Sequence, residues 1–137
     1  MKSLTQKKIK RIGKKYNLLI LVLFGSRANN KAKKDSDVDL AFYTRSPMKP
    51  KEELSIYEEF VESLEYEKID LININTNHSP VIRKEIFFNG KPLFEAKEGL
   101  FTELKWNAWI DYIDFKKYEK KRMVLLKEKL KEAAVNA

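Results

Sequence analysis

Leu18-Leu19-Ile20-Leu21-Val22-Leu23-Phe24-Gly25-Ser26, followed after ten residues by Asp37-Val38-Asp39-Leu40-Ala41-Phe42-Tyr43, is the stretch around which the chain is organised. Seven apolar residues without polar alternation fit a strand covered on both faces better than one facing water, although their length alone leaves a buried helix open. Gly25-Ser26 ends the run. With Arg27-Ala28 it reads as a tight strand-to-helix turn whose backbone N–H groups can meet an anion. In the second run Asp37 and Asp39 share one face while Val38 and Leu40 enter the core. Like charges at that separation raise a carboxyl pKa or destabilise the strand, and a divalent cation removes the conflict.

The 137 residues, 43% hydrophobic, are enough for one domain with a proper core and too few for two. We expect a single domain over 1–137, with its core at about 15–97 and a helical C-terminal segment at about 100–134. The absence of cysteine excludes disulfides and thiolate metal sites and agrees with a reducing cytoplasm. No apolar run approaches the roughly 20 residues that span a bilayer, so a cytoplasmic location is expected. The net charge of +8 is uneven: residues 1–34 hold eleven Lys or Arg and no acid, whereas the remainder holds seventeen basic and twenty acidic side chains. Lys31, Lys33 and Lys34 fill the loop before Asp37, and a positive field beside an anion-ready turn suits a polyphosphate or nucleic acid. The lysines before Leu18 are equally well read as a solvated helix face.

Around this stretch the pattern predicts a helix over Ser3–Lys15, with Ser3 as N-cap and Gly13 near its end. A short helix is expected around Arg27–Lys33. Leu54, Tyr57, Phe60, Val61 and Leu64 mark an amphipathic helix over Lys51–Glu65. Lys68–Ile74 reads as a third strand, with Asp70 near its beginning. Ser79-Pro80 starts a further helix that stops at Asn89-Gly90, and Lys91–Glu95 is a short strand placed at an edge by Pro92. Phe101–Ala134 lacks Gly and Pro and is one long helix or two with a bend. Six aromatics within its first eighteen positions exceed one packing stripe, and the surplus suits a partner interface.

Ligands of α/β sheets gather at strand ends, and each of the first three strands brings something there: Gly25-Ser26, Asp37 with Asp39, and Asp70. The turn and the carboxylates can meet if the first strand runs antiparallel or staggered to its neighbours. Three carboxylates with a phosphate-binding turn describe metal-assisted phosphoryl or nucleotidyl transfer, in which two divalent ions roughly 4 Å apart neutralise a triphosphate and activate a hydroxyl. Mg²⁺ takes oxygen ligands and keeps some waters, so two or three aspartates suffice. Other chemistries lack parts: there is one His, and no His-Glu-x-x-His, Gly-x-Ser-x-Gly or Walker pattern.

Phe24-Gly25-Ser26-Arg27-Ala28 and Ser36-Asp37-Val38-Asp39-Leu40, with the later Asp70, resemble the signature of the polymerase-β-like nucleotidyltransferase superfamily. The small size, the Ser79–Phe94 stretch and the aromatic C-terminal helix look like its minimal nucleotidyltransferases, the antitoxins of HEPN/minimal-nucleotidyltransferase pairs. The resemblance covers about residues 15–118. It implies a small mixed sheet flanked by helices, and Mg²⁺-dependent (or Mn²⁺-dependent) transfer of AMP from ATP to a tyrosine of a HEPN ribonuclease toxin. By position, Gly25 and Ser26 would hold the β- and γ-phosphates, with Arg27 beside them. Asp37, Asp39 and Asp70 would be catalytic metal ligands, and Asp70 would help deprotonate the acceptor. The family often carries Arg-Gly after the alanine. Here Asn29-Asn30 stands instead, and Asn tolerates a left-handed turn.

Set against these roles, Asp35 is read as a solvated neighbour, His78 as a surface loop residue, and Tyr112 and Asp114 as packing and surface. The alternatives are an antitoxin that masks its partner through the aromatic helix without catalysis, and a nucleotidyltransferase for a small hydroxyl acceptor. A nucleic-acid binder using the basic N-terminal segment is a further reading, although nucleic acid is not the expected substrate. None of these readings needs a membrane.

Overall fold

The computed structural model describes residues 1–136. Its elements are α1 (Gln6–Lys15), β1 (Leu18–Phe24), β2 (Val38–Thr44), α2 (Pro50–Leu64), β3 (Ile69–Asn73), α3 (Pro80–Asn89), β4 (Lys91–Glu95) and α4 (Leu100–Val135). The strands form one mixed sheet in the order β3-β2-β1-β4. β1 runs antiparallel to both β2 and β4, and β2 runs parallel to β3 through the α2 crossover. This is the expected class, a small mixed sheet flanked by helices with a long C-terminal helix.

The apolar run of β1 is central because both sheet faces are covered. Ile9 and Ile12 of α1 and Ile56 and Phe60 of α2 pack on Leu21, Leu40 and Phe42. Ile86 and Phe87 of α3 and Ala108 of α4 pack on Ile20, Val22, Phe24 and Ala41. Along β2 alternate positions therefore serve different cores, Val38, Leu40 and Phe42 on one side and Ala41 on the other, and each fully buried side chain contributes about 1.5–3 kcal/mol. Beyond β3, Asn75 extends the sheet by taking the Thr44 N–H at 2.9 Å and donating to the Thr44 carbonyl at 2.7 Å.

Several local expectations change. α1 is capped by Thr5 rather than Ser3, its hydroxyl accepting from Lys8 N–H. Gly13 lies near the end of that helix, as expected. It is buried within it, and an added Cβ would lie 2.7 Å from the Phe94 ring, so the residue sets how closely α1 approaches β4. α2 buries Ile56, Phe60, Ser63 and Leu64, while Leu54 is 57% exposed. At 3.6 residues per turn Leu54 stands about 120° from Phe60, where the covered face has ended. Ser79 and Pro80 do start α3, with the Ser79 hydroxyl accepting from Ile82 N–H. β4 is an edge strand. α4 is a single helix of 36 residues whose start is capped by Glu95, which accepts from Gly99 and Phe101 N–H groups.

Candidate active site

Phe24 pairs with Asp39 across β1 and β2, and Asp39 pairs with Asp70 across β2 and β3. The antiparallel return of β2 brings its start beside the end of β1, and the parallel pairing brings the start of β3 to the same place. Strand alternation then turns both carboxylates to the α3/α4 side, because Phe24, Ala41 and Ile74 pack there while Val38, Leu40 and Ile69 pack on the α1/α2 side. A one-residue slip in either ladder would separate them. Asp37, just before β2, is exposed, as is Asp70, whereas Asp39 is half-buried. Burial, then the charge of Asp70 and then that of Asp37, push the Asp39 carboxyl above its ordinary range.

Gly25 closes the site from the β1 side. Its φ is +75°, and a Cβ at this position would collide with the Asp39 carboxylate, so the turn lies directly against that group. The expected helix over Arg27–Lys33 is instead a series of turns, held by Ala28 N–H to the Gly25 carbonyl at 3.1 Å and Lys31 N–H to the Ser26 carbonyl at 3.0 Å. Asn30 breaks any helix there by adopting φ +56°, the left-handed conformation that Asn tolerates. Among the described residues the N–H groups of Ser26 and Arg27 donate no hydrogen bond within the chain. They stand as a pair of anion donors beside three exposed lysines, Lys31, Lys33 and Lys34.

The Arg27 side chain is placed apart from the carboxylates. It lines a cavity with Leu23, Val38 and Leu40 on the α1/α2 side, and its Nε and Nη2 donate to the Ser36 carbonyl at 3.3 and 2.7 Å. Tyr66 stacks under the guanidinium at 5.4 Å and donates its hydroxyl to the same carbonyl at 2.8 Å. One carbonyl thus receives donors from the segment after Gly25 and from the segment before Asp70, one residue ahead of Asp37. Val38 N–H to the Lys68 carbonyl at 2.8 Å adds a further tie. Sequence reasoning missed Tyr66 and the Ser36 carbonyl, since a main-chain acceptor leaves no residue-type signal. Asp35, His78 and Asp114 are exposed, and Tyr112 is half-buried and stacked on Trp109 at 6.0 Å.

A cleft of about 920 Å³ between Lys14, Asn17, Arg45 and Glu95 opens at the other end of the sheet, remote from the aspartates. Concave volume usually marks a ligand site, but the convergent charge lies elsewhere. Among the described residues no three acidic or histidine side chains form a ready metal cage. The aspartates offer an open set of hard oxygen donors under mutual repulsion, which fits Mg²⁺ or Mn²⁺ bound partly by protein and partly by phosphate oxygens.

The family model described as polymerase beta, nucleotidyltransferase, matches residues 7–99, more than half of the chain and all of this constellation. The chain belongs to that family. It is a polymerase beta nucleotidyltransferase by sequence, and its fold agrees. A Methanocaldococcus jannaschii protein named as a protein adenylyltransferase is 29% identical over 86 residues, 63% of this chain and 87% of that protein. Two solved structures share the fold. A toxin–antitoxin crystal structure with AMP-PNP has a TM-score of 0.71 at 17% identity, covering 88% of this chain and 95% of that one. The complex of a tri-AMPylated Shewanella oneidensis HEPN toxin with its MNT antitoxin has a TM-score of 0.65 at 16% identity, covering 87% and 92%.

Proposed function

We propose that this nucleotidyltransferase is an antitoxin that transfers AMP from ATP to a tyrosine of a cognate HEPN ribonuclease toxin. The observation that carries the reading is the row Phe24–Asp39–Asp70 with Gly25 pressed against it, placed toward the β3 edge of the sheet, where Asp70 is open to a large acceptor. A protein acceptor is supported by the name of the M. jannaschii relative and by the toxin–antitoxin complexes that share the fold.

The free N–H groups of Ser26 and Arg27 would hold the terminal phosphates, with Lys31, Lys33 and Lys34 adding positive field. Asp37, Asp39 and Asp70 would hold the divalent cations. A bound divalent cation would neutralise triphosphate charge and polarise the α-phosphorus. The acceptor oxygen forms a bond to that phosphorus, the bond to the β-phosphate oxygen breaks, pyrophosphate leaves, and Asp70 takes the acceptor proton. The Arg27 side chain acts through Ser36: it holds the Asp37 backbone rather than the triphosphate.

Incubation of the full chain with its cognate HEPN protein, Mg²⁺ and ATP should add one or more adenylyl groups to a toxin tyrosine, read by intact mass and peptide mapping. Asp37→Ala should lower the rate at least about a hundredfold. Without activity, Asp39→Asn should raise the denaturation midpoint of the metal-free protein, because it removes the repulsion at that carboxylate, and should reduce the added stability given by Mg²⁺ with AMP-PNP. An unmodified partner, together with an Asp37→Ala variant that neutralises the toxin as well as wild type, would falsify the reading.

A further inference from the structure

From Lys116 to Asn136 every residue of the C-terminal segment is exposed, so α4 leaves the domain after Phe115 and continues as an arm. At 1.5 Å per residue the part of the helix from Lys116 to Val135 is about 30 Å long. Seven large apolar side chains lie on it: Tyr118, Met123, Val124, Leu125, Leu126, Leu130 and Val135, each 47–83% exposed. Met123, Leu126 and Leu130 fall at i, i+3 and i+7, the spacing of anchors that enter a groove. Met123 to Leu126 are consecutive, so apolar surface girdles the helix for one full turn. A flat membrane or a single second helix covers one side of a helix and would leave Val124 or Leu125 in water. A cleft encloses it.

Charge selects the occupant. Residues 116–132 contain eight Lys or Arg and three Glu. Among the described residues only Lys116 of these cations meets a carboxylate, Glu119 at 4.0 Å. Two such arms side by side repel, which disfavours a second copy. A nucleic acid would answer the lysines and leave the aliphatic girdle uncovered.

We propose that this arm docks into an apolar, acid-rimmed cleft of the protein whose hydroxyl accepts AMP, holding that protein on the domain. The proposal rests on the reading that the acceptor is a protein, and it goes beyond that reading by assigning the contact surface and the chemistry of its complement. Nearer the domain, Phe88 of α3 meets Trp106 edge-on and Trp109 at a tilt, and Trp109 stacks on Tyr112, with Lys105 over the Phe88 ring and Lys84 over the Tyr112 ring.

The test compares full-length wild type, Leu126→Glu/Leu130→Glu and Lys120→Glu/Lys121→Glu by titration calorimetry against the cognate HEPN protein, at low and at physiological salt. The expected result is at least tenfold weaker binding for each double variant, unchanged helicity by circular dichroism, and weaker wild-type binding as salt rises. Wild-type affinity in Leu126→Glu/Leu130→Glu overturns the proposal, as does failure of the wild-type chain to bind that protein. Concentration-dependent self-association, or binding of a single-stranded RNA or of anionic phosphatidylserine vesicles, that the Leu126→Glu/Leu130→Glu change abolishes assigns the arm to another occupant and also overturns it. Binding and AMP transfer, measured side by side, separate the two readings. Tight binding without AMP transfer in wild type leaves the arm proposal standing and removes the catalytic one, whereas normal transfer at limiting toxin by Leu126→Glu/Leu130→Glu does the reverse.

Discussion

Asp39 is the most strained charge of the candidate site, and its neighbours explain the strain. It meets Asp70 across the ladder and Gly25 across the turn, so what holds it in place also denies it solvent. Gly25→Ala should cost about 1–2 kcal/mol through its left-handed backbone alone. It should also displace the Asp39 carboxylate, so AMP transfer should fall further than the denaturation midpoint suggests, which paired thermal melts and rate measurements will show. The Ser36 carbonyl is the second focus. Tyr66→Phe removes one of its donors without changing shape, at about 0.5–1.5 kcal/mol. If Tyr66 positions Asp37, kcat should fall while the KM for ATP stays near wild type, and Arg27→Lys should restore less than a full guanidinium because it cannot make the forked pair of bonds. Equal changes in KM and kcat would argue that the tie is only structural.

At the scale of elements, α1 and α2 are clamped to each other on the side of the sheet away from the aspartates. Lys15 Nζ donates to Glu59 Oε1 at 2.8 Å, while Glu59 Oε2 is buried without a partner. Burial on its own would raise the Glu59 carboxyl, but the hydrogen bond from Lys15, the Tyr16 hydroxyl and the charges of Lys15 and Arg11 outweigh it and hold it below the ordinary range. A carboxyl lowered on folding contributes stability above its unfolded pKa and loses it as pH falls through the folded value. Glu59→Gln should therefore lower the urea midpoint slightly at pH 7, and the difference from wild type should vanish in acid below the carboxylate range. A constant difference across pH would assign the effect to packing. One expectation for these elements failed: Leu54 was read from spacing within its own helix, while the rotation of α2 toward Ile56 decided its surroundings.

In the whole molecule, the candidate constellation sits in a sheet domain while α4 carries a basic apolar arm beyond it. No described helix is long and apolar enough to cross a membrane. Because every described residue from 117 to 136 is exposed, deleting 119–137 should leave the denaturation midpoint within about 2–4 °C of wild type. A larger drop in a thermal melt would mean that the arm folds back on the domain. An isolated helix of this length is marginal in water, so the arm depends on its continuity with the packed half of α4, or on a partner, to stay helical.

The positions of the strands, the Ser79–Pro80 start of α3, the edge placement of β4 and the candidate group Gly25, Ser26, Asp37, Asp39 and Asp70 were all legible in the chain, because apolar runs, caps and short-range spacing act through neighbours in sequence. Asn30 in its left-handed turn belongs with them. Only the tertiary structure decided that β1 returns antiparallel against β2, so that Phe24, Asp39 and Asp70 stand in one row, and that Arg27 and Tyr66 reach the Ser36 carbonyl from the far side of the sheet. Register, face and helix rotation depend on contacts between residues far apart in sequence. A residue's own periodicity tells which neighbours share its side, and burial against other elements determines where that side points.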